Sequence, residues 1–492
     1  MHQMANPHVT HQPFAIPGGA PVHHPSTLAR VQEKQEARRY WKYATLVAIL
    51  LLAVITVRMH ELVGPLRYLR PTLTLGVFGV GLVIMRSSVK ARRDAMRHLP
   101  MKLMMAYAAW IGLMLPFAIW KARAFLTFQG IVPAVLLVLA LCMVAPTRKV
   151  LEKVTLAYGV CLAVMAGAVW VVGTSEGGRM SVGGTYDAND MAALMACGTP
   201  LILGIIVRGR GRTRWLMIGA LVLVGSAIVA SQSRGGFLAL LAATVVFGLG
   251  FKASKRIGMV IALVVAGLIG WTFTGEDFRE RMGSILELED DYNFQTFDGR
   301  IAIWTRGIGY AFERPITGVG PSNFGFRDGQ WLAEHGMTGK WSAAHNAYIQ
   351  SFADLGFPGG LLFLGMLLVA ARNTYALWRP RLNVGKGFHR PEYLASVLAL
   401  MVAAFFLSLA YSFIVFGVLG IAALADRVRR AEDRRNRTAK QMTAAALQQQ
   451  AMAAAVAAGQ NPAQAYGLAV PYAVNPSPFR GLPGGGSGTA GG

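Results

Sequence analysis

The sequence predicts an all-α polytopic membrane protein with about twelve transmembrane helices and one large extracytoplasmic loop that contains short helices. Three observations predict it. Hydrophobic residues make up 54% of the 492 residues, and they gather into blocks that approach the ~20 apolar residues a bilayer's hydrocarbon core requires of a helix. Lysine and arginine are dense in alternate loops and sparse in the others. One connection, residues 274–356, is too polar to span and too long for a turn, and it carries half of the chain's acidic residues.

The apolar blocks cover residues 43–57, 71–85, 103–120, 127–145, 154–173, 189–207, 214–230, 236–250, 257–273, 357–371, 392–410 and 412–425. With the N-terminus in the cytoplasm, the short loops on that side hold 21 lysines and arginines. The opposite short loops hold seven: Arg58, Arg67, Arg70, Lys121, Arg123, Arg179 and Arg234. Because cytoplasmic loops carry the excess of Lys and Arg, both termini are expected in the cytoplasm and the large loop outside it. The formal charge of +24 is thereby assigned to topology, with no nucleic-acid partner, since the basic residues form clusters between apolar blocks.

Residues 1–40 lack the apolar h-region of a signal peptide and read as a disordered cytoplasmic tail. Residues 41–426 form the membrane domain. Residues 427–492 turn basic, then Ala/Gln-rich, then Pro/Gly-rich, which predicts a cytoplasmic tail that starts helical and becomes partly disordered. Cys142, Cys161 and Cys197 lie in apolar blocks and are expected as buried thiols, with no disulfide framework or metal knuckle to be drawn.

Inside the large loop, DGRIAIWTRGIGYAF offers Asp298 as an N-cap, and Ile301, Trp304, Ile308 and Phe312 recur at helical spacing. A second helix is expected from Ser342. It places His345, Tyr348, Ile349 and Phe352 on one apolar face before Gly356 and Pro358 end it.

No Walker A loop, H-E-x-x-H, EF-hand or G-x-S-x-G signature is present, so neither a metal site nor a cofactor is expected. What stands out is a set of arginines on the side where the positive-inside rule disfavours them. Arg234 sits in SQSRGG, where Gly235 and Gly236 permit a close backbone approach and leave amides for an anion. Its guanidinium can clamp phosphate oxygens, and snorkelling to lipid headgroups is an equally good reading of that motif. Arg179 lies in GGRMSVGGTYDANDMA, ahead of a helix capped by Asp187. It reads as part of an anion pocket or, better by spacing alone, as a surface arginine paired with an acidic neighbour. Arg300 by itself reads as an exposed helix charge.

Of the ten histidines, only His60, His335 and His345 fall on the outer side. His345 stands beside Asn346, whose amide can orient an imidazole or a sugar hydroxyl. By chemistry alone a satisfied structural histidine outranks a catalytic one.

Taken together, SRGG, GRIAIWTRGIGYAFERPITGVGPSNFG and AHNAYIQSFADLGFPGG resemble the O-antigen ligase and polymerase superfamily, over roughly residues 40–425. The resemblance implies a glycosyltransferase of the cell inner membrane that takes an O-antigen glycan from an undecaprenyl-diphosphate carrier on the periplasmic face. In the ligase branch the acceptor is a sugar hydroxyl of the lipid A core. The resemblance further implies that Arg234 and Arg300 bind the diphosphate, that His345 is the general base, and that Arg179 supports them. DAND stands where many relatives have a Pro-Asn pair, which weakens the match at Arg179. Trp304, Asn346 and Tyr348 are expected to contact substrate.

Arginines in place of a metal would stabilise the leaving diphosphate, and a single displacement would invert the anomeric centre. The other readings are a polymerase lengthening lipid-linked chains, a protein O-oligosaccharyltransferase, and a transporter. The last is expected to carry ionisable residues at mid-membrane, and the apolar blocks are nearly free of charge.

Overall fold

The computed structural model describes residues 27–182, 186–251, 299–337, 341–379 and 388–459, with isolated positions between 252 and 298. The chain divides into two units, residues 1–428 and 429–492, the first of which holds the helix bundle. Its helices are α1 (Thr27–Val57), α2 (Pro71–Arg86), α3 (Leu99–Leu113), α4 (Lys121–Met143), α5 (Arg148–Val172), α6 (Ala188–Arg208), α7 (Gly211–Ser231) and α8 (Arg234–Leu249). They continue with α9 (Arg300–Glu313), α10 (Phe324–Glu334), α11 (Ala347–Trp378), α12 (Pro391–Phe406) and the start of α13 (Phe413–Ala457). A two-stranded antiparallel hairpin, β1 (Thr174–Glu176) and β2 (Arg179–Ser181), joins α5 to α6.

The all-α membrane architecture stands, and the expected count of about twelve spans is not confirmed. Among the described residues seven helices are long and apolar enough to cross a membrane, while Pro71–Arg86, Arg234–Leu249 and Pro391–Phe406 are shorter apolar helices. A helix rises 1.5 Å per residue, so the 16 residues of α8 cover about 24 Å against a hydrocarbon core of about 30 Å. The block at 257–273 lies outside the described residues, and the last block is the opening of α13. At the other end of the chain α1 begins at Thr27, inside the expected tail. The segment RVQEKQEARRYWK that extends it is rich in Glu, Lys, Gln and Arg, all strong helix formers.

Helix starts are set by side-chain caps. Thr147 accepts from the Val150 amide, Asp187 from the Asn189 and Asp190 amides, Ser233 from the Gly236 amide, and Asn346 from the Tyr348 and Ile349 amides. Cys142, Cys161 and Cys197 are free and buried among the helices. At the end of the bundle where α6 finishes and α12 begins, Arg208 pairs with the fully buried Glu392, and the buried Arg390 reaches Glu152 at 2.7 Å.

The described part of the large loop packs as a small core of its own: Ile303, Tyr310, Val319, Phe324, Ala344 and Ala353. Here the face of α9 read from the sequence is overturned. Ile301, Ile308 and Phe312 are exposed, whereas Ile303, Arg306, Gly307, Tyr310 and Ala311 are buried. The reason is polar: Arg306 turns inward to a buried ion pair with Asp328 at 2.6 Å, and Tyr310 donates its hydroxyl to the same carboxylate at 3.3 Å. Burial and the Asp328 charge push the Tyr310 hydroxyl well above its ordinary pKa, so it remains a donor. A glycine is needed at 307, because a Cβ there would lie 2.6 Å from the Phe324 ring and 2.7 Å from Ile349. The helix begins at Arg300 with Gly299 in the cap position, and Asp298 lies outside the described residues.

The loop is fastened to the bundle at Asp354, which has no exposed surface. Its carboxyl accepts from the Ser322 and Asn323 amides at 3.2 and 3.1 Å and from the Tyr411 hydroxyl at 3.2 Å. Backbone bonds run alongside, from the Val319 amide to the Ala353 carbonyl and from the Gly320 amide to the Asp354 carbonyl, both 2.9 Å. Two residues on, Gly356 takes φ 67° and ψ −175°, a conformation open to glycine, and kinks α11 where the sequence placed the end of the loop helix. The helix then resumes through Pro358 to Trp378.

Asp354→Ala leaves three donors without this acceptor and is expected to loosen the packed loop by about 3 kcal/mol. Limited proteolysis in detergent micelles should then cut within residues 299–337 faster than in the native protein while the helical circular dichroism is kept. A variant as protease-resistant as the native chain would remove Asp354 from this role.

Candidate functional site

Helices α1, α7 and α12 finish, and α2, α4, α6, α8, α11 and α13 start, at one end of the bundle, and the residues singled out by the sequence collect there. His345 is not on the helix expected from Ser342. The helix starts two residues later, at Ala347, and His345 occupies the turn before it with φ 47°. Left-handed backbone is uncommon outside glycine, histidine is among the residues that tolerate it better, and such conformations cluster at functional sites.

Three contacts hold this turn. The His345 amide donates to the Ser408 hydroxyl at 2.9 Å. The Ala344 carbonyl accepts from the Trp304 indole at 2.9 Å. Asn346, 2% exposed, accepts through its side-chain oxygen from the Tyr348 and Ile349 amides. Trp304 thus grips the backbone beside His345, and Asn346 caps α11. Tyr348 donates its hydroxyl to the Met401 carbonyl at 3.0 Å and packs edge-on to Phe363.

Arg234 is the first residue of α8, half-buried, after a sharp reversal at Gln232 with φ 49°. The two glycines behind it serve packing. A Cβ at Gly235 would lie 2.9 Å from that of Phe406, and one at Gly236 would lie 2.4 Å from that of Ala192, so α8 presses on α12 and α6 with no side chain between. The Gly236 amide is already taken by the Ser233 cap at 3.2 Å.

Arg179, on β2, is tied into the same turn. Its Nε donates to the Ser231 carbonyl at 3.1 Å and its Nη2 to the Asn189 Oδ1 at 2.6 Å. That Asn189 oxygen also accepts from the Ser233 hydroxyl at 2.9 Å. One amide oxygen therefore links the hairpin arginine, the start of α6 and the cap of α8. Sequence reading picked out Asp187 at this helix start and passed over Asn189, whose importance depends on a contact 44 residues away in the chain.

Arg300 opens α9, half-buried, one turn before Trp304. The Trp304 ring meets Phe405 edge-on at 5.4 Å, and Phe405 in turn meets Phe406 at 5.2 Å. The end of α12 is consequently the meeting point of all three motifs. Phe405 receives the GRIAIW helix, Phe406 receives SRGG, and Ser408 receives the AHN turn.

Beside this junction opens a cavity of about 900 Å³. Ser408, Gln350 and Asp190 form its near wall, and Arg58, Arg70, Arg123, His60 and Glu61 line it with Thr72, Thr127, Gln129, Tyr186, Tyr411 and Phe413. Arg234, Arg300, Arg179 and His345 are not among the lining residues. Arg58 takes φ 50°, donates from Nε to Glu61 at 2.9 Å and lies over the Tyr186 and Phe413 rings at 5.6 and 5.4 Å. Sequence reasoning counted Arg58, Arg70 and Arg123 as exceptions to the positive-inside rule without following them to a site, although that exception was the signal. Among the described residues no three His, Cys, Asp or Glu side chains cluster as a metal site would require.

Residues 219–364 match the family model described as O-antigen ligase. That stretch contains Arg234, Arg300, Trp304, His345, Asn346 and Tyr348, and it excludes Arg179, Ser408 and the three cavity arginines. No curated protein matches the chain.

Trp304→Phe keeps an aromatic ring against Phe405 and removes the donor to Ala344. With about 1 kcal/mol of local hydrogen bonding lost, amide exchange over residues 344–348 should quicken roughly fivefold, while that of α5 and α6 stays as in the native protein. Unchanged exchange in the turn would show that it is held without the indole.

Proposed function

We propose that this membrane protein, whose residues 219–364 match the family model described as O-antigen ligase, is a glycosyltransferase of that family and acts as an O-antigen ligase. In this reading it transfers a polysaccharide from undecaprenyl diphosphate to a sugar hydroxyl of the lipid A core, at the periplasmic face of the inner membrane. The observation that carries the reading is the convergence of the SRGG, GRIAIW and AHN segments on Phe405–Ser408 at one end of the helices. The excess of Lys and Arg in the loops at the other end supports cytoplasmic termini and a periplasmic site.

The His345 imidazole takes the proton of the acceptor hydroxyl as its oxygen attacks the anomeric carbon of the donor. The bond from that carbon to the diphosphate oxygen breaks, and undecaprenyl diphosphate leaves with the electron pair. Arg234 and Arg300, each at the first position of a helix, stabilise the charge that develops on it, and the helix N-termini add to the field. One displacement inverts the anomeric configuration. Arg179 holds the turn that presents Arg234, which makes it a positioning residue. Trp304 and Asn346 have the same part toward His345.

Purified protein in chelator-treated buffer, given undecaprenyl-diphosphate glycan and lipid A core, is expected to form the ligated product with inverted linkage. His345→Ala should lower the rate by about 10²–10⁴-fold, and Arg234→Ala by about 10²–10³-fold, with both variants still folded. Lengthened donor chains and no ligated core would place the protein with the polymerases. Retained anomeric configuration, or native rates in the His345 variant, would falsify the single-displacement scheme.

A further inference from the structure

We infer that the arginine-lined cavity beside Ser408 is the binding site for the phosphorylated saccharide head of the acceptor glycolipid, separate from the place where the donor diphosphate sits. The inference rests on the ligase reading and adds a site that lies wholly outside the matched family segment except at Ser322 and Gln350.

Size comes first. At about 900 Å³ the cavity falls near the top of the ordinary range of roughly 300–1,000 Å³ for ligand sites. It holds an oligosaccharide-sized group, far more than one diphosphate. Its chemistry is mixed in the way such a group demands. Thr72, Thr127, Gln129, Gln350 and Ser412 offer hydroxyl and amide partners for sugar hydroxyls.

Charge narrows the ligand further. Arg58 is already braced by Glu61 and by the two rings. Arg70 and Arg123 are exposed at the cavity, and among the described residues neither has a carboxylate within ion-pair distance. Arg123 stands in the first turn of α4, where the helix end itself favours a negative group, so a cation placed there runs against the local dipole. Arg70, at the cap of α2, adopts φ 41°, a backbone conformation unfavourable for an arginine. Two cations in locally unfavourable positions, facing one cavity from two helices, are accounted for by an anionic ligand between them.

Location assigns that ligand to the acceptor. Arg234 and Arg300, the arginines of the matched segment, lie outside the cavity lining. The cavity touches the AHN turn through Ser408, whose hydroxyl accepts the His345 amide. A saccharide lying in the cavity therefore approaches the His345 turn from the side of Ser408.

The test is direct binding, in nanodiscs, of lipid A core, of the same core with its phosphates removed enzymatically, and of undecaprenyl diphosphate, to the native chain and to Arg70→Ala and Arg123→Ala. Each variant is expected to bind the phosphorylated core roughly fivefold more weakly, with the gap closing as salt is raised, and to bind undecaprenyl diphosphate as the native chain does. Dephosphorylated core should bind the native chain weakly and lose nothing more in the variants. Loss of undecaprenyl diphosphate binding in the same proportion would give the cavity to the donor, and unchanged core binding in both variants would overturn the assignment. Binding of core that depends on Arg70 and Arg123 without any transfer of glycan would keep the cavity and remove the ligase reading instead.

Discussion

A carboxyl group with no exposed surface, Asp354, joins two regions of the chain. One is the extramembrane loop, whose Ser322 and Asn323 amides it accepts. The other is the turn before α13, whose Tyr411 hydroxyl it accepts. Burial and the neighbouring Asp354 push the Tyr411 hydroxyl far above its ordinary pKa, so it is a donor at any working pH. Taking a carboxyl out of water costs several kcal/mol unless hydrogen bonds compensate, and here three donors do so at once. The arrangement works only in one geometry, so it fixes a position as well as contributing stability.

From that anchor the rest of the site follows by packing. With residues 315–324 fixed on α11, Phe324 lies against Gly307 of α9, which sets the helix that carries Arg300 and Trp304. Trp304 then meets Phe405 and the Ala344 carbonyl, and the turn holding His345 is closed by Ser408. The chemistry-bearing groups stand on helix first turns and on a capped turn, while the rings and glycines behind them set the spacing. A shift of the loop would reach His345 through two routes, Trp304 and the α11 cap, because both sit on elements fixed at Asp354.

Much of this was legible in the sequence, and the reasons differ from residue to residue. The helical class and the choice of end were readable because bilayer burial imposes length and charge rules on every loop. The Ser342 helix start was misjudged because helical spacing of apolar residues also fits a turn followed by a helix, and only Asn346, a strong cap, marked the difference. The face of α9 was misjudged because a buried Arg306–Asp328 pair outweighed the exposed Ile301, Ile308 and Phe312, and a pair 22 residues apart has no local signature. Asn189 and Ser408 were missed for the same reason, since their partners come from distant segments. SRGG was read as a tight turn whose glycines permit close approach and leave amides for an anion; the close approach is to Phe406 and Ala192, and the Gly236 amide is taken by Ser233.

The division between the arginines has a mechanistic consequence. A displacement at an anomeric carbon that inverts configuration requires the attacking oxygen and the departing diphosphate on opposite faces of the sugar. If one positively charged pocket held both substrates, the acceptor's phosphates would compete for the groups that must stabilise the leaving group in the transition state. On the proposed assignment, placing Arg70 and Arg123 in the cavity and Arg234 and Arg300 outside it avoids that competition. On that proposed assignment His345, in a turn held by Ser408 on the cavity wall and by Trp304 of the Arg300 helix, stands at the boundary between the two. A base at such a boundary can take a proton from a hydroxyl bound on one side while the bond broken lies on the other. In the proposed ligase reading the acceptor's charge tunes its affinity through the cavity, and the donor's charge tunes the chemical step.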